Sequence, residues 1–104
     1  MIAETAYQFT TVNSDLVTNW FDNTYLTSGY AATQAGQLAY LEQLMFTVKS
    51  IIAQKGIGIC FWGVEWVAYN GSSESDTNYG SAIDNATLFD SYFYRANIGI
   101  NALL

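Results

Sequence analysis

The stretch GIGICFW, residues 56–62, decides the fold. It is a short apolar run bounded by glycines, and it carries no charged side chain. Runs of this length and composition are typical of a strand that is buried on both faces, as in a parallel sheet. We therefore predict a buried strand here, with the single cysteine, Cys60, as an inert core thiol.

An amphipathic helix is predicted ahead of this strand, over residues 34–54. Thr33 is the expected N-cap, and Lys55 and Gly56 supply a cation and a terminating glycine at the C-terminal end. The apolar residues recur at three- and four-residue spacing and are Leu38, Leu41, Leu44, Met45, Val48, Ile51 and Ile52. Residues 1–3 indicate the end of an earlier strand, so strand, helix and strand together form a βαβ unit.

Both predicted strands are followed by long loops, residues 4–32 and 64–85, whereas the helix-to-strand connection at 54–57 is short. This asymmetry is typical of a (β/α)8 barrel, which takes about 250 residues in full and carries its active site on the long loops. Two strands alone would leave two open sheet edges. We therefore predict an α/β chain in which residues 1–104 are a single partial domain, the C-terminal part (about the last two βα units) of a (β/α)8 TIM barrel.

Composition excludes several classes of protein. The chain has three Lys and Arg residues and nine Asp and Glu residues, which gives a formal net charge of −6. This charge argues against nucleic acid and against an anionic membrane surface as partners. No window is long and apolar enough to span a bilayer, and no basic n-region of a signal peptide is visible. The chain has no histidine, which removes Ser–His and Cys–His pairs and the usual zinc sites. Carboxylates are the groups left for acid–base chemistry.

Glu4 and Trp62 each follow a predicted strand directly, where a barrel keeps its catalytic residues. A carboxylate at this rim can act as nucleophile or general acid in glycoside hydrolysis, and a solvated loop glutamate is the alternative. The indole of Trp62 can stack on the apolar face of a pyranose ring, and a core tryptophan at the rim is the alternative. Glu65 and Trp66 open the next loop and complete the candidate substrate site, although Glu65 can equally well be solvated.

Two groups of acidic and amide side chains are candidates for capping or for binding a metal. The closing segment, residues 86–104, is predicted to be a short helix or an irregular segment. Asp84, Asn85 and Asp90 are expected to cap that helix, with binding of a hydroxyl or of calcium as alternatives. Asp15 and Asp22 offer further oxygen ligands in the first loop, without the spacing of an EF-hand.

Four segments resemble, in chain order, the C-terminal part of glycoside hydrolase family 53, the arabinogalactan endo-β-1,4-galactanases. They are ETAYQFT (4–10), YAATQAGQLAYLEQL (30–44), GIGICFWGVEW (56–66) and DNATLFD (84–90). They are similar to the family's nucleophile segment, the start of its penultimate helix, its last strand and its closing motif. The chain departs from the family pattern where Gln8 replaces a proline, and where Trp62-Gly63-Val64 replaces Trp–Glu–Pro and displaces the glutamate to position 65.

The resemblance implies a retaining barrel hydrolase that cleaves galactan or arabinogalactan side chains internally. Glu4 matches the nucleophile that ends the seventh strand, and Trp62 matches the tryptophan of the sugar site nearest the cleaved bond. Tyr7 belongs to the nucleophile segment and is assigned to substrate binding on that ground. The acid/base glutamate of the fourth strand has no counterpart here, so we expect the isolated chain to be inactive, because retaining hydrolysis needs two carboxyl groups about 5–5.5 Å apart.

The resemblance also implies the partners of the chain. They are a β-linked galactan polysaccharide and the missing N-terminal part of the barrel, in a secreted or periplasmic location. The chemistry requires no cofactor. Some family members bind calcium through the loops after the last strands, so a structural calcium ion is left open with its ligands unassigned. The alternatives are a related enzyme acting on another β-linked polysaccharide, and a non-catalytic carbohydrate-binding module that kept the aromatic rim.

Overall fold

The computed structural model describes the chain in five ranges, 1–51, 55–64, 66–67, 80–90 and 95–103. Its regular elements are β1 (Ile2–Thr5), α1 (Gln34–Lys49), β2 (Ile59–Phe61), β3 (Phe89–Asp90) and β4 (Arg95–Ala96). Three 3₁₀ helices lie at Asn23–Tyr25, Asp84–Ala86 and Ile98–Leu103. Strands β1 and β2, which precede and follow α1 in sequence, pair in parallel, so the predicted βαβ unit is confirmed. Strands β3 and β4 form a separate antiparallel pair.

No helix in the described ranges has the length and apolarity needed to cross a membrane. The segment after β2 closes with the 3₁₀ helix Ile98–Leu103, which packs on α1. This contact depends on Gly99, since a Cβ at that position would lie 2.4 Å from Oε1 of Gln37.

The register of the parallel pair contains one irregularity. Ile2 pairs with Ile59 and Thr5 with Phe61, so β1 advances three residues where β2 advances two. This extra residue is a bulge, a feature that bends a strand and re-aims its side chains. Strand β1 also runs further than predicted, and Glu4 lies inside it rather than in the following loop.

Helix α1 begins as the sequence predicts and ends earlier. The hydroxyl of Thr33 accepts a hydrogen bond from the backbone N–H of Gly36 at 3.0 Å, which confirms the N-cap. The helix ends at Lys49 rather than at residue 54, and residues 52–54 lie outside the described ranges. Gly56, which was predicted to terminate the helix, has another role. The backbone at Gly56 passes so close to the helix end that a Cβ there would lie 1.8 Å from the carbonyl oxygen of Val48. The cation of the last turn is therefore Lys49, not Lys55.

The core is small and unusually polar. Its fully buried apolar side chains include Leu41 and Val48 from the predicted helix stripe and Ile83 and Leu88 from the segment after β2. Several polar residues are buried beside them: Gln8, Gln37, Asp84, Asn85, Thr87 and Asn97. Long loops bring backbone N–H and C=O groups into this core, and the buried side chains supply hydrogen-bond partners for them.

The prediction that β2 is buried on both faces is wrong for this chain. Ile59 and Phe61 are half-buried, and Cys60 is exposed rather than an inert core thiol. Within the described ranges β2 has one strand neighbour, β1, so its other edge is unpaired there. The exposure of Cys60 shows that the sheet face on which it lies is open to solvent.

Candidate active site

Glu4 and Trp62 lie at the carboxyl ends of neighbouring parallel strands. The carboxylate of Glu4 is exposed, and Trp62 is half-buried. The backbone N–H of Trp62 donates to the carbonyl oxygen of Thr5 at 2.7 Å, which ties the residue after β2 to the residue after Glu4. The bulge in β1 falls between Ile2 and Thr5, at the place where it can set the direction of the Glu4 side chain. The two residues chosen from the sequence thus share one rim of the sheet.

All three tryptophans of the chain meet beside this rim. The rings of Trp62 and Trp20 lie 6.3 Å apart and nearly parallel, with an interplanar angle of 17°. Trp66 meets Trp62 edge-on, with ring centroids 5.2 Å apart. Trp66 was predicted to belong to the site, whereas Trp20 was not, since nothing in the first loop's sequence indicates that it reaches Trp62.

The turn after Trp62 requires a glycine. Gly63 has a φ of +73°, and a Cβ there would lie 2.4 Å from Cδ1 of Ile83. The backbone N–H of Trp66 donates back to the carbonyl oxygen of Gly63 at 3.3 Å, which closes the turn and returns Trp66 onto Trp62. Glu65, which was also predicted to bind substrate, lies outside the described residues.

A cavity of about 480 Å³ opens next to the tryptophans. Its described lining is uncharged and consists of Trp20, Trp66, Val67, Gly80, Ser81, Ala82 and Ile83. Pockets that hold small ligands typically measure about 300–1,000 Å³ and are mostly apolar with a few polar groups. The cavity has the size and character of a ligand site.

The side chain of Tyr7 is buried and holds the first loop in place. Its side chain is only 4% exposed and stacks on Tyr40 with ring centroids 4.1 Å apart. Its hydroxyl donates to the carbonyl oxygen of Tyr30 at 2.7 Å and accepts from the N–H of Thr27 at 3.2 Å. The ring and the hydroxyl of Tyr7 thus hold the first loop in place. Its contact with substrate stays a prediction.

Gln8 stands where the resembled family has proline, and its side chain makes a hydrogen bond that a proline side chain cannot make. It is buried, and its Nε2 donates to the carbonyl oxygen of Asp22 at 3.1 Å. Asp22 in turn caps the 3₁₀ helix Asn23–Tyr25, where it accepts from the N–H of Thr24 at 2.8 Å. The hydrogen bond from the Thr24 hydroxyl lowers the pKa of the exposed Asp22 carboxyl. A hydrogen bond thus fixes this part of the loop in the absence of the rigid proline.

Asp84 does not cap a helix, contrary to prediction. The 3₁₀ helix Asp84–Ala86 has Ile83 at its N-cap position, without a side-chain capping bond. Asp84 is 1% exposed, and its Oδ2 accepts a hydrogen bond from the hydroxyl of Ser14. Burial raises the pKa of the Asp84 carboxyl, and the nearby charge of Asp15 raises it further, against the lowering effect of Ser14.

The other residues of this predicted group also join loops. The Nδ2 group of Asn85 donates to the carbonyl oxygens of Thr10 and Phe21 at 3.2 and 2.7 Å. Asp90 lies in β3 rather than at a helix start. The segment after β2 and the loop after β1 are therefore fastened together by buried polar groups at several points. We call the contact of Ser14 and Asp15 with Ser81 and Asp84 the loop junction.

The loop junction offers oxygen ligands for a hard cation. The described residues contain no cluster of three or more His, Cys, Asp or Glu. However, Oδ1 of Asp84 is buried without a hydrogen-bond partner, and so are the Oδ1 atoms of Asn19 and Asn85. Both carboxylate oxygens of Asp15 accept backbone N–H groups, from Val17 at 2.6 Å and Ser81 at 2.7 Å. The unpartnered oxygen of Asp84, beside the second carboxylate of Asp15, is the kind of oxygen ligand that Ca²⁺ takes.

Comparison with known proteins agrees with this geometry. The family model of glycosyl hydrolase family 53 matches residues 1–103. The chain is similar to a GH53 catalytic domain from Ignisphaera aggregans, with 31% identity and a TM-score of 0.79. The match covers 96% of this chain and 28% of that one, so the chain spans little more than a quarter of the solved domain. No curated protein sequence matches the chain. The chain belongs to glycosyl hydrolase family 53, and its βαβ unit is part of that family's (β/α)8 barrel.

Proposed function

We propose that this chain is the C-terminal part of a retaining endo-β-1,4-galactanase, with Glu4 as its nucleophile. The observation that carries the proposal is the placement of Glu4 and Trp62 on adjacent strand ends, joined by the bond from Trp62 N–H to Thr5. Active sites of (β/α)8 enzymes lie at this end of the strands. An exposed carboxylate there, beside an aromatic platform, supports glycosidic chemistry over a structural role.

In the proposed reaction the Glu4 carboxylate attacks the anomeric carbon of the sugar held on Trp62. The glycosidic bond breaks, the leaving oxygen takes a proton from an acid group outside this chain, and a covalent glycosyl–enzyme ester forms. Water then hydrolyses the ester with the same group acting as base. Because Glu4 supplies one of the two carboxyl groups required, we propose that the chain is inactive until the rest of the barrel is present.

The charge of the site supports a neutral substrate. The described lining of the cavity carries no charged side chain, and the chain's net charge of −6 would repel an anionic polysaccharide. Indole rings pack against the apolar faces of uncharged sugars. A β-linked galactan meets these requirements, and a polysaccharide substrate of this kind goes with a secreted or periplasmic enzyme. Another neutral β-glycan is the second candidate, since the same features would accept it.

We also propose that the loop junction binds a structural calcium ion. Asp84 and Asp15 would hold it and thereby fasten the first loop to the segment after β2, without taking part in the chemistry. Ca²⁺ should raise the melting temperature relative to EDTA, and Asp84→Asn should remove that increase. An equal response of the variant, or none in either protein, would refute the calcium site.

The function is tested with the chain joined to the N-terminal part of its barrel. Glu4→Gln should abolish release of reducing ends from β-1,4-galactan while largely preserving binding of galacto-oligosaccharides. Glu42→Gln is the matched control, because Glu42 is also an exposed glutamate and lies on α1. Near-normal turnover by Glu4→Gln would show that Glu4 is not the nucleophile.

A further inference from the structure

We propose that Ser81 is a positioning residue, which holds Trp66 against Trp62 and makes the binding of substrate depend on the loop junction. This inference rests on the proposed function for its effect on substrate, whereas its effect on the geometry of Trp66 can be measured without any sugar. The consequence is that a change at the loop junction reaches the aromatic rim through one serine.

The turn that carries Trp66 is held at both of its ends by the segment 81–83. At its start, Gly63 packs so closely on Ile83 that a Cβ there would lie 2.4 Å from Cδ1 of that isoleucine. At its end, the hydroxyl of Ser81 donates to the carbonyl oxygen of Trp66. The bond from the N–H of Trp66 to Gly63 is long, at 3.3 Å, and the indole is 46% exposed. The bond from Ser81 therefore fixes the end of the turn from which the Trp66 ring projects.

The hydroxyl of Ser81 has a fixed direction. Its oxygen accepts the backbone N–H of Ile83 at 3.4 Å, which is the short-range turn that serine hydroxyls form with the residue two positions on. Because a hydroxyl has one proton to donate, that proton is committed to the Trp66 carbonyl. An alanine at position 81 would keep the backbone contacts of the serine and lose those of its hydroxyl.

The backbone of the same segment is held by the first loop. The N–H of Ser81 donates to Oδ2 of Asp15 at 2.7 Å. One residue on, the carbonyl oxygen of Ala82 accepts the N–H of Trp20 at 2.7 Å. Asp15 thus fixes the backbone at Ser81, and the hydroxyl of Ser81 fixes Trp66, so the loop junction and the aromatic rim share one residue.

The test uses the chain joined to the rest of its barrel, in EDTA. Near-UV circular dichroism reports the packing of the tryptophan rings, and the difference between wild type and Trp66→Phe identifies the signal of Trp66. Ser81→Ala should change that signal and raise KM for galacto-oligosaccharides about fivefold, the effect of losing one hydrogen bond, while kcat stays close to that of wild type. Ser81→Thr, which keeps a hydroxyl, should retain the wild-type signal and KM. Melting temperatures verify that each variant is folded.

Ser50→Ala is the matched control. The hydroxyl of Ser50 also donates to a backbone carbonyl, that of Thr47 at 2.8 Å, but it lies at the end of α1 and outside the described lining of the cavity. An unchanged Trp66 signal in Ser81→Ala, an unchanged KM in the active enzyme, or an equal effect of Ser50→Ala would overturn the inference. A protein that hydrolyses no galactan would refute the proposed function, and the Trp66 signal would still decide the role of Ser81.

A double-mutant cycle tests the link to the loop junction. Asp15→Ala removes the acceptor of the Ser81 N–H, so it should change the Trp66 signal when Ser81 is present. In the Ser81→Ala background the same substitution should have no further effect on that signal, because the hydroxyl that transmits it is absent. Equal effects of Asp15→Ala in the two backgrounds would overturn the dependence of Trp66 on the loop junction through Ser81.

Discussion

Gln37 joins the loop of the candidate nucleophile to the segment after β2, and its removal should be strongly destabilising. Its side chain is fully buried in α1, and its Nε2 donates to the carbonyl oxygen of Tyr7 at 2.7 Å and to that of Thr87 at 3.0 Å. Thr87 keeps a second donor, Nδ2 of Asn97, whereas no other hydrogen bond to the Tyr7 carbonyl is found in the described structure. Gln37→Ala therefore leaves the buried carbonyl oxygen of Tyr7 without this donor and removes one of the two donors to the carbonyl oxygen of Thr87. It also opens a cavity next to Gly99.

The size of the effect follows from these contacts. An unpaired buried acceptor costs about 1–3 kcal/mol, and a lost hydrogen bond with a remaining partner costs about 0.5–1.5 kcal/mol. We expect Gln37→Ala to lower the free energy of unfolding by about 2–4 kcal/mol, measured by urea denaturation of the chain joined to the rest of its barrel.

Gln43→Ala is the control for this prediction. Gln43 lies on the same helix and is exposed, and its Nε2 donates a long hydrogen bond of 3.4 Å to the hydroxyl of Thr47. Its loss should change stability by less than about 0.5 kcal/mol. If Gln37→Ala changed stability no more than Gln43→Ala, the idea that this glutamine fastens the two segments would be wrong.

Two further predictions concern the loop junction and the turn after Trp62. Because burial raises the pKa of Asp84 above its ordinary value of 3.8, the folded protein binds that proton more tightly than the unfolded chain does. In EDTA the melting temperature should therefore fall as the pH rises from about 3.8 through the raised pKa, and Asp84→Asn should flatten this slope; an unchanged slope would contradict the assignment. Gly63→Ala forces a side chain into a φ of +73° and against Ile83, so it should weaken binding of oligosaccharides and alter tryptophan fluorescence. Gly29→Ala, with a φ of +94° in open space, should cost stability without either effect, and a matching loss of binding there would refute the role of the Gly63 turn.

The βαβ unit was predictable because its signals are local. Apolar spacing and a capping hydroxyl at Thr33 specify α1, and the glycine-bounded apolar run specifies β2. The end of α1 was not predictable in the same way. Gly56 resembles a helix terminator in sequence, but it is needed where the chain crosses back over Val48, and that crossing depends on tertiary packing.

The candidate site was predictable only where it follows strand ends. Glu4 and Trp62 are found at one rim because parallel strands end together. The partnership of Trp20 with Trp62 could not be predicted, since it depends on how a loop of almost thirty residues folds back across the sheet. Asp84 was misassigned for a related reason, because a short acidic motif before apolar residues resembles a cap and its burial against Ser14 is a long-range contact.

The central claim is that Glu4 forms a covalent bond with the sugar, and trapping that bond tests it most directly. A 2-deoxy-2-fluoro galactobioside with a good leaving group would be incubated with the chain joined to the rest of its barrel, because fluorine slows hydrolysis of the ester intermediate. Trypsin cleaves after Lys49, the first Lys or Arg of this chain, so residues 1–49 stay within one peptide, which contains Glu4 together with Asp15, Asp22 and Glu42. The account predicts a stoichiometric glycosyl adduct that fragmentation mass spectrometry localises to Glu4. An adduct on another carboxylate while Glu4 remains unmodified would contradict it.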